Sequence, residues 1–207
     1  MAPEYSFLDN LTGVMPIFLG ALLATAGGLA ATQMEWHFER KRRAQAAAMF
    51  FGEVLTTMHI LLDIAKRTHG RGDPFGPITI RTMRSAKREI DIYDRNREIL
   101  FDLADPKLRS RVHTLILRLN APIEGVFDTN EEIRAIELQL KSDNLPTALR
   151  EELGVRLERL NAARGGGFEF AMETAEQLLG VVRELEVLAG HTFEGAQRAA
   201  AETNTIP

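Results

Sequence analysis

The chain has no cysteine. That alone excludes disulfides, cysteine-based zinc sites, thiol catalysis and cysteine-bound iron–sulfur clusters. It has no basic excess either. The net charge is -4, which argues against a dedicated nucleic-acid binder, since such proteins carry a clear surplus of cations. Glu-x-x-His does not occur, so the repeated motif of a carboxylate-bridged di-metal site is missing. There is no Gly-x-Ser-x-Gly elbow and no dinucleotide fingerprint. The glycine triplet Gly165-Gly166-Gly167 lacks the Lys-Ser/Thr of a phosphate loop, and no strand leads into it. These absences set three expectations: no cofactor, no metal and no enzymatic activity.

Charge is also missing locally. From Leu11 to Thr32 no residue is charged, and the flanking charges are Asp9 and Glu35. As a helix that stretch would be roughly 33 Å long, enough to cross a bilayer core. Pro16 falls near its start, where a missing N–H does least harm. The single tryptophan, Trp36, follows at the depth of an interfacial anchor, and Arg40, Lys41, Arg42 and Arg43 come next. A cleaved signal would need cations ahead of the apolar stretch. Residues 1–10 hold Glu4 and Asp9 and no Lys or Arg, although Ala24-Thr25-Ala26 resembles a cleavage site. A buried core helix would rarely run this far without a charge. The expectation is a single transmembrane helix over residues 11–33 in the plasma (inner) membrane. Residues 1–10 form a short tail outside, and residues 34–190 a cytoplasmic domain, as the cations on the C-terminal side require.

The span has two unlike faces. At roughly 100° per residue, Gly13, Gly20, Ala24, Gly27 and Ala31 fall on one side, with Phe18, Leu22 and Leu29 opposite. Small residues let two membrane helices approach closely, so this face is expected to pack against another helix. The partner is either a second copy or another membrane-protein subunit.

Beyond the span, helical spacing dominates and period-two alternation is absent. Phe51, Leu55, Met58, Leu62 and Ala65 form one stripe, on a helix expected to continue from the span to about Thr68. Residues 69–77, HGRGDPFGP, make a loop. Met83, Ala86, Ile90, Tyr93 and Leu100 mark a second helix. Asp105-Pro106 reads as an N-cap followed by the first helical residue. A third stripe runs through Leu108, Val112, Leu115, Leu119, Ile123 and Val126, with a kink or break expected at Pro122 and Gly125. Leu149, Leu153, Leu157 and Leu160 lie on a further helix, which the glycine triplet is expected to break. Phe168, Ala171, Ala175, Leu178, Val182, Leu185 and Ala189 keep heptad-like spacing on the last helix. Residues 191–207 read as a polar tail. The fold class predicted is all-α, a transmembrane helix followed by an antiparallel helical bundle or coiled-coil-like domain.

Charge is distributed unevenly. Residues 78–118 hold ten basic and six acidic side chains, and residues 119–207 hold eight and sixteen. The basic section either faces anionic lipid headgroups, together with Arg40–Arg43, or pairs with the acidic helices. His59 and Asp63 share the polar side of their helix, where a solvated contact is expected. His113 has no evident partner. Asp94, Arg97 and Glu98 form a candidate ligand or partner cluster, weighed against a solvated face laced with ion pairs. The functional expectation is a non-enzymatic scaffold or accessory subunit of a membrane complex. A sensor relaying a signal along the continuous first helix is the alternative.

Overall fold

The structure, a computed structural model, describes residues 7–142, 144–193 and 195, with the side-chain surroundings of 7–14, 17 and 18 left out. The expected outer tail is therefore mostly outside the described residues, as are most of the polar C-terminal tail and the surroundings of Gly13. The helices are α1 (Phe7–His69), α2 (Pro77–Arg95), a short 3-10 helix (Arg97–Asp102), α3 (Pro106–Leu140) and α4 (Thr147–Ala189). No strand occurs among the described residues. The chain divides into two compact units, Met1–Arg43 and Ala44–Pro207.

The first unit is helical from Phe7 onward. In the second, each element starts and stops for a local reason. α1 ends with Lys66, Arg67 and His69 in its last turn, where cations oppose the negative end of the dipole. The loop after it turns at Gly72, with φ 87°, a conformation glycine adopts without strain. Asp73 accepts a hydrogen bond from the Phe75 N–H at 3.2 Å, closing an Asx turn. Extended Gly76 then places Pro77 at the first helical position. The Asp105 side chain accepts from the Lys107 N–H at 2.8 Å, so the predicted N-cap of α3 is present. α4 closes on left-handed Gly190, φ 66°, whose N–H reaches the Glu186 carbonyl at 2.9 Å.

Four helical segments share one core. Phe51, Leu55, Met58 and Leu62 from α1 are fully buried with Met83, Ile90 and Tyr93 of α2. Leu108, Ile116, Leu119 and Ile123 of α3 and Leu178 and Leu185 of α4 complete it. α3 and α4 run antiparallel, as their cross-pairs show: Arg111 with Glu184, Arg118 with Gln177, Asn130 with Arg164, and Glu132 with Arg156. α1 is also antiparallel to α4, with His59 against the Ala175 carbonyl and His69 against Phe168.

Neither expected site of interruption breaks its helix. α3 runs through Pro122 and Gly125 without a break. A mid-helix proline costs about 3 kcal/mol. Leu119, Ile123 and Val126 on either side are buried, and each such side chain returns about 1.5–3 kcal/mol, so continuous packing wins. α4 likewise runs through Gly165-Gly166-Gly167. Each glycine costs about 1 kcal/mol relative to alanine, less than losing the buried face that continues from Leu153 to Phe168 and Ala171. Gly167 also lies against α3: a Cβ there would touch Val126 Cγ2 at 3.4 Å and the Pro122 carbonyl at 3.6 Å. Gly165 and Gly166 have open space instead.

A different glycine has a steric duty. After α4, the chain turns back and buries Phe193, whose ring lies where a Cβ on Gly52 of α1 would be. The Phe193 N–H donates to Glu186 Oε1 at 2.8 Å, which fixes the turn.

Two predictions follow from these glycines. Replacing Gly165 and Gly166 with alanine should raise unfolding stability by about 0.5–1 kcal/mol each, read from urea midpoints at unchanged slope. Gly52→Leu and Phe193→Ala should each destabilise, by about 1.5–3 kcal/mol for the lost ring burial. The double variant should cost little more than either alone, because both remove one contact. Full additivity would show that the two residues are not coupled.

Candidate functional site

The most unusual chemistry on the chain is apolar surface without protein cover. Leu19, Leu22, Leu23, Leu29, Met34, Trp36 and Phe38 are all exposed, Leu23 at 68% and Trp36 at 71%. Isolated exposed leucines are ordinary on soluble proteins, but a continuous apolar helix surface marks an interaction site. The polar groups within it are self-satisfied. Thr25 donates its hydroxyl to the Ala21 carbonyl at 2.8 Å, and Thr32 to the Gly28 carbonyl at 2.9 Å. α1 is long and apolar enough to cross a membrane.

The small-residue positions lie open. A Cβ at Gly20 or Gly27 would meet nothing within 4 Å, and Ala24 and Ala31 are exposed. The chain itself therefore supplies no helix against that face among the described residues. Trp36 and the cations Arg40, Lys41 and Arg42 are exposed, and Arg43 pairs with Glu39 one turn before it.

The polar cluster lies at the surface. Asp94, Arg97 and Glu98 are all exposed, but Arg97 lies against a histidine. His113 has two partners: the Tyr93 hydroxyl at 2.8 Å from Nδ1, and the Arg97 guanidinium at 3.4 Å from Nε2. The tautomer sets the direction of the first contact: either the Tyr93 hydroxyl donates to Nδ1 or the Nδ1–H donates to the phenol oxygen. Burial pushes the Tyr93 phenol above its ordinary 10.0. The signal in the sequence was position: His113 follows Val112 at the edge of a buried stripe.

His59 also departs from expectation. Its Nδ1 lies 3.2 Å from the Ala175 carbonyl on α4, while Asp63 pairs with Arg67. The basic section is partly internal to the domain. Lys87 bridges Asp91 and Glu124, and Arg111 grips Glu184 with both guanidinium nitrogens. Both pairs are at least partly exposed, so each contributes little to stability.

A second aromatic–cation group closes the other end of the core. The His69 ring stacks on Phe168 with centroids 4.1 Å apart, and Phe75 meets both edge-on. The Arg164 guanidinium covers Phe75 at 4.0 Å and donates to Asn130 Oδ1 at 2.6 Å. Burial lowers the His69 pKa from its ordinary 6.5, and nearby Arg164 lowers it further, against an opposing pull from Glu169.

An open groove of about 320 Å³ lies between α3 and α4, lined by Ser110, Arg111, Thr114, Arg118, Gln177 and Glu184 among others. Its charged groups are engaged with each other or with Phe170, so no set of polar groups converges on an empty point. Among the described residues no group of three or more His, Asp or Glu could hold a metal ion. Comparison with known protein families, with curated proteins and with solved structures finds no match to this chain.

The His69 environment gives a pH prediction. A histidine with a lowered folded pKa is held neutral, so the unfolded chain takes up more protons as the solution acidifies. Its share of stability is full above about 6.5 and declines as pH falls through that value toward the lower folded one. His69→Phe, which keeps the ring stack, should flatten the fall in melting temperature between neutral and mildly acidic pH. An unchanged slope would assign that dependence to other groups.

Proposed function

We propose that this chain is a non-enzymatic, single-pass membrane protein. Its apolar helix anchors it, and the residues after Arg43 form an antiparallel helical bundle on the cytoplasmic side. It acts as a scaffold or accessory subunit, packing the face of Gly13, Gly20, Ala24, Gly27 and Ala31 against a second copy or another membrane subunit. One observation carries this reading. The segment from Leu19 to Phe38 exposes large apolar side chains on all sides while its threonines are satisfied inside the helix, which suits hydrocarbon and not water. The cations Arg40–Arg43 that follow it support the inward orientation and contact with anionic headgroups. Asp94 and Glu98, exposed and beside the His113 pair, remain the candidate polar contact with a partner.

A sensor role is the second reading. It is favoured by α1, which keeps helical hydrogen bonding from Phe7 to His69 and so joins anchor and domain by one element.

The test is gentle detergent extraction of the full chain from membranes, followed by the mass of the intact assembly. A multiple of 23.1 kDa, or co-purifying membrane subunits, supports the proposal. Gly20→Leu with Gly27→Leu should then reduce the assembly to single chains while the far-ultraviolet spectrum and melting of the helical domain stay unchanged. A wild-type chain that is monomeric in every mild detergent would overturn the scaffold reading.

A further inference from the structure

Charge is segregated among the helices of the Ala44–Pro207 unit. α2 carries five basic and three acidic side chains, and α4 carries five basic and eight acidic. α3 is balanced with five of each, and α1 from Ala44 onward with two of each. The two balanced helices stand between the two charged ones. Phe51 and Thr68 of α1 meet Tyr93 and Thr79 of α2, and His59 of α1 meets Ala175 of α4. Lys87 of α2 meets Glu124 of α3, and Arg111 of α3 meets Glu184 of α4. α2 and α4 are therefore diagonal across the core, and their outer faces look in opposite directions.

The outer face of α2 is arginine. Arg81, Arg84, Arg88 and Arg95 fall within about 60° of one another at roughly 100° per residue, opposite buried Met83 and Ile90. All four are exposed, and none pairs with a carboxylate among the described residues. Arg84 rests on the Phe127 ring and Arg95 donates to the Asp91 main-chain carbonyl, contacts that leave both charges uncompensated. The outer wedge of α4 holds Ala162, Gly166, Glu169, Glu173 and Gly180, all exposed. Glu176 and Glu184 at its edges pair with Lys66 and Arg111, whereas Glu169 and Glu173 pair with no cation among the described residues. A Cβ on Gly166 or Gly180 would meet nothing within 4 Å, so these glutamates stand on a shallow surface that long arginine side chains can reach.

We infer that copies of this chain dock head to tail, the arginine face of α2 on one copy against the glutamate face of α4 on the next. Charge complementarity selects a second copy as the occupant. Both signs are present on one body, on opposite sides, and neither is neutralised within it. A two-fold contact would set arginine on arginine or glutamate on glutamate, which repel. A head-to-tail contact pairs unlike faces and leaves one of each sign open, so it repeats from copy to copy. An anionic partner of another kind would use α2 and leave the α4 face without a role. Exposed ion pairs are individually weak and screened by salt, so the contact is reversible and loosens as ionic strength rises. It goes beyond the scaffold reading and uses surfaces of the Ala44–Pro207 unit alone, so it does not depend on the small-residue face of the apolar helix.

The absence of cysteine makes the contact open to capture by crosslinking. Ile78→Cys, at an exposed position one turn before Arg81, and Gly166→Cys place single thiols beside the charges without removing any. Full-length chains carrying one or the other are extracted in mild detergent, treated with a long flexible bismaleimide and sized under denaturing conditions. The expected result is a crosslinked dimer from the mixture, none from either chain alone, and a ladder from a chain carrying both thiols, all fading as salt is added. Arg81→Glu with Arg88→Glu in the first chain should abolish the mixed product, as should Glu169→Arg with Glu173→Arg in the second. Mixing the two reversed chains should restore it, which also shows that both remain folded. No product from the mixture overturns the inference, and so does equal product from either single-thiol chain alone. Loss on reversing α2 but not α4 assigns the arginines to a different anionic partner and overturns it too. A product that withstands both reversals but disappears with Gly20→Leu and Gly27→Leu belongs to the apolar helix: it overturns the head-to-tail contact and leaves the scaffold reading standing.

Discussion

Apolar side chains gain free energy by leaving water, and along α1 the protein itself provides that cover in one stretch and not in another. From Leu19 to Phe38 the large hydrophobics are exposed around the helix. From Ala47 onward one stripe is buried, and α2, α3 and α4 exist largely to cover it. The change of environment occurs without any change of backbone conformation, since α1 is helical on both sides. What differs is the sequence period: uniform apolarity before the cations, and 3-4 spacing after them.

Polar groups then fix the two ends of the covered region. At one end Tyr93, His113 and Arg97 lie in a row of polar contacts that gives a buried phenol its partner. At the other, His69, Phe75, Phe168 and Arg164 stack as alternating rings and cation. The first group joins consecutive elements and the second joins the start of the domain to α4, both through contacts that depend on geometry more than on area. The salt bridges between α3 and α4 add register to a packing that the apolar stripes already determine.

Much of this was readable from spacing. The stripes of the covered segments, apart from exposed Leu149, the loop expected over residues 69–77 and found between His69 and Pro77, and the Asp105 cap each have a short-range physical cause. The misjudged points were those where long-range packing overrides a local preference. Pro122 and the glycine triplet are breakers by propensity, but Pro122 and Gly167 face each other where α3 packs on α4, and neither helix breaks. The His113 and Phe193 contacts were hidden for a related reason. Their partners lie on other elements, and nothing in the local pattern around Gly52 shows that a ring from beyond α4 will fill the space of its missing side chain. The small-residue face of the apolar helix was legible as a pattern, and among the described residues nothing lies against Gly20 or Gly27.

The placement of Phe193 has a consequence for biosynthesis. The α1 stripe leaves the ribosome early, and the residues that cover it from α4 come late; His59 and its contact Ala175 are 116 residues apart. At ordinary elongation rates that gap lasts on the order of ten seconds. Throughout it the nascent chain carries, just after its long apolar stretch, a greasy half-helix with no mate. Phe193 is made after every helix of the core, so closure of the domain coincides with the end of its translation. A chain cut short within α4 would never bury the α1 stripe, leaving an apolar face open to proteolysis.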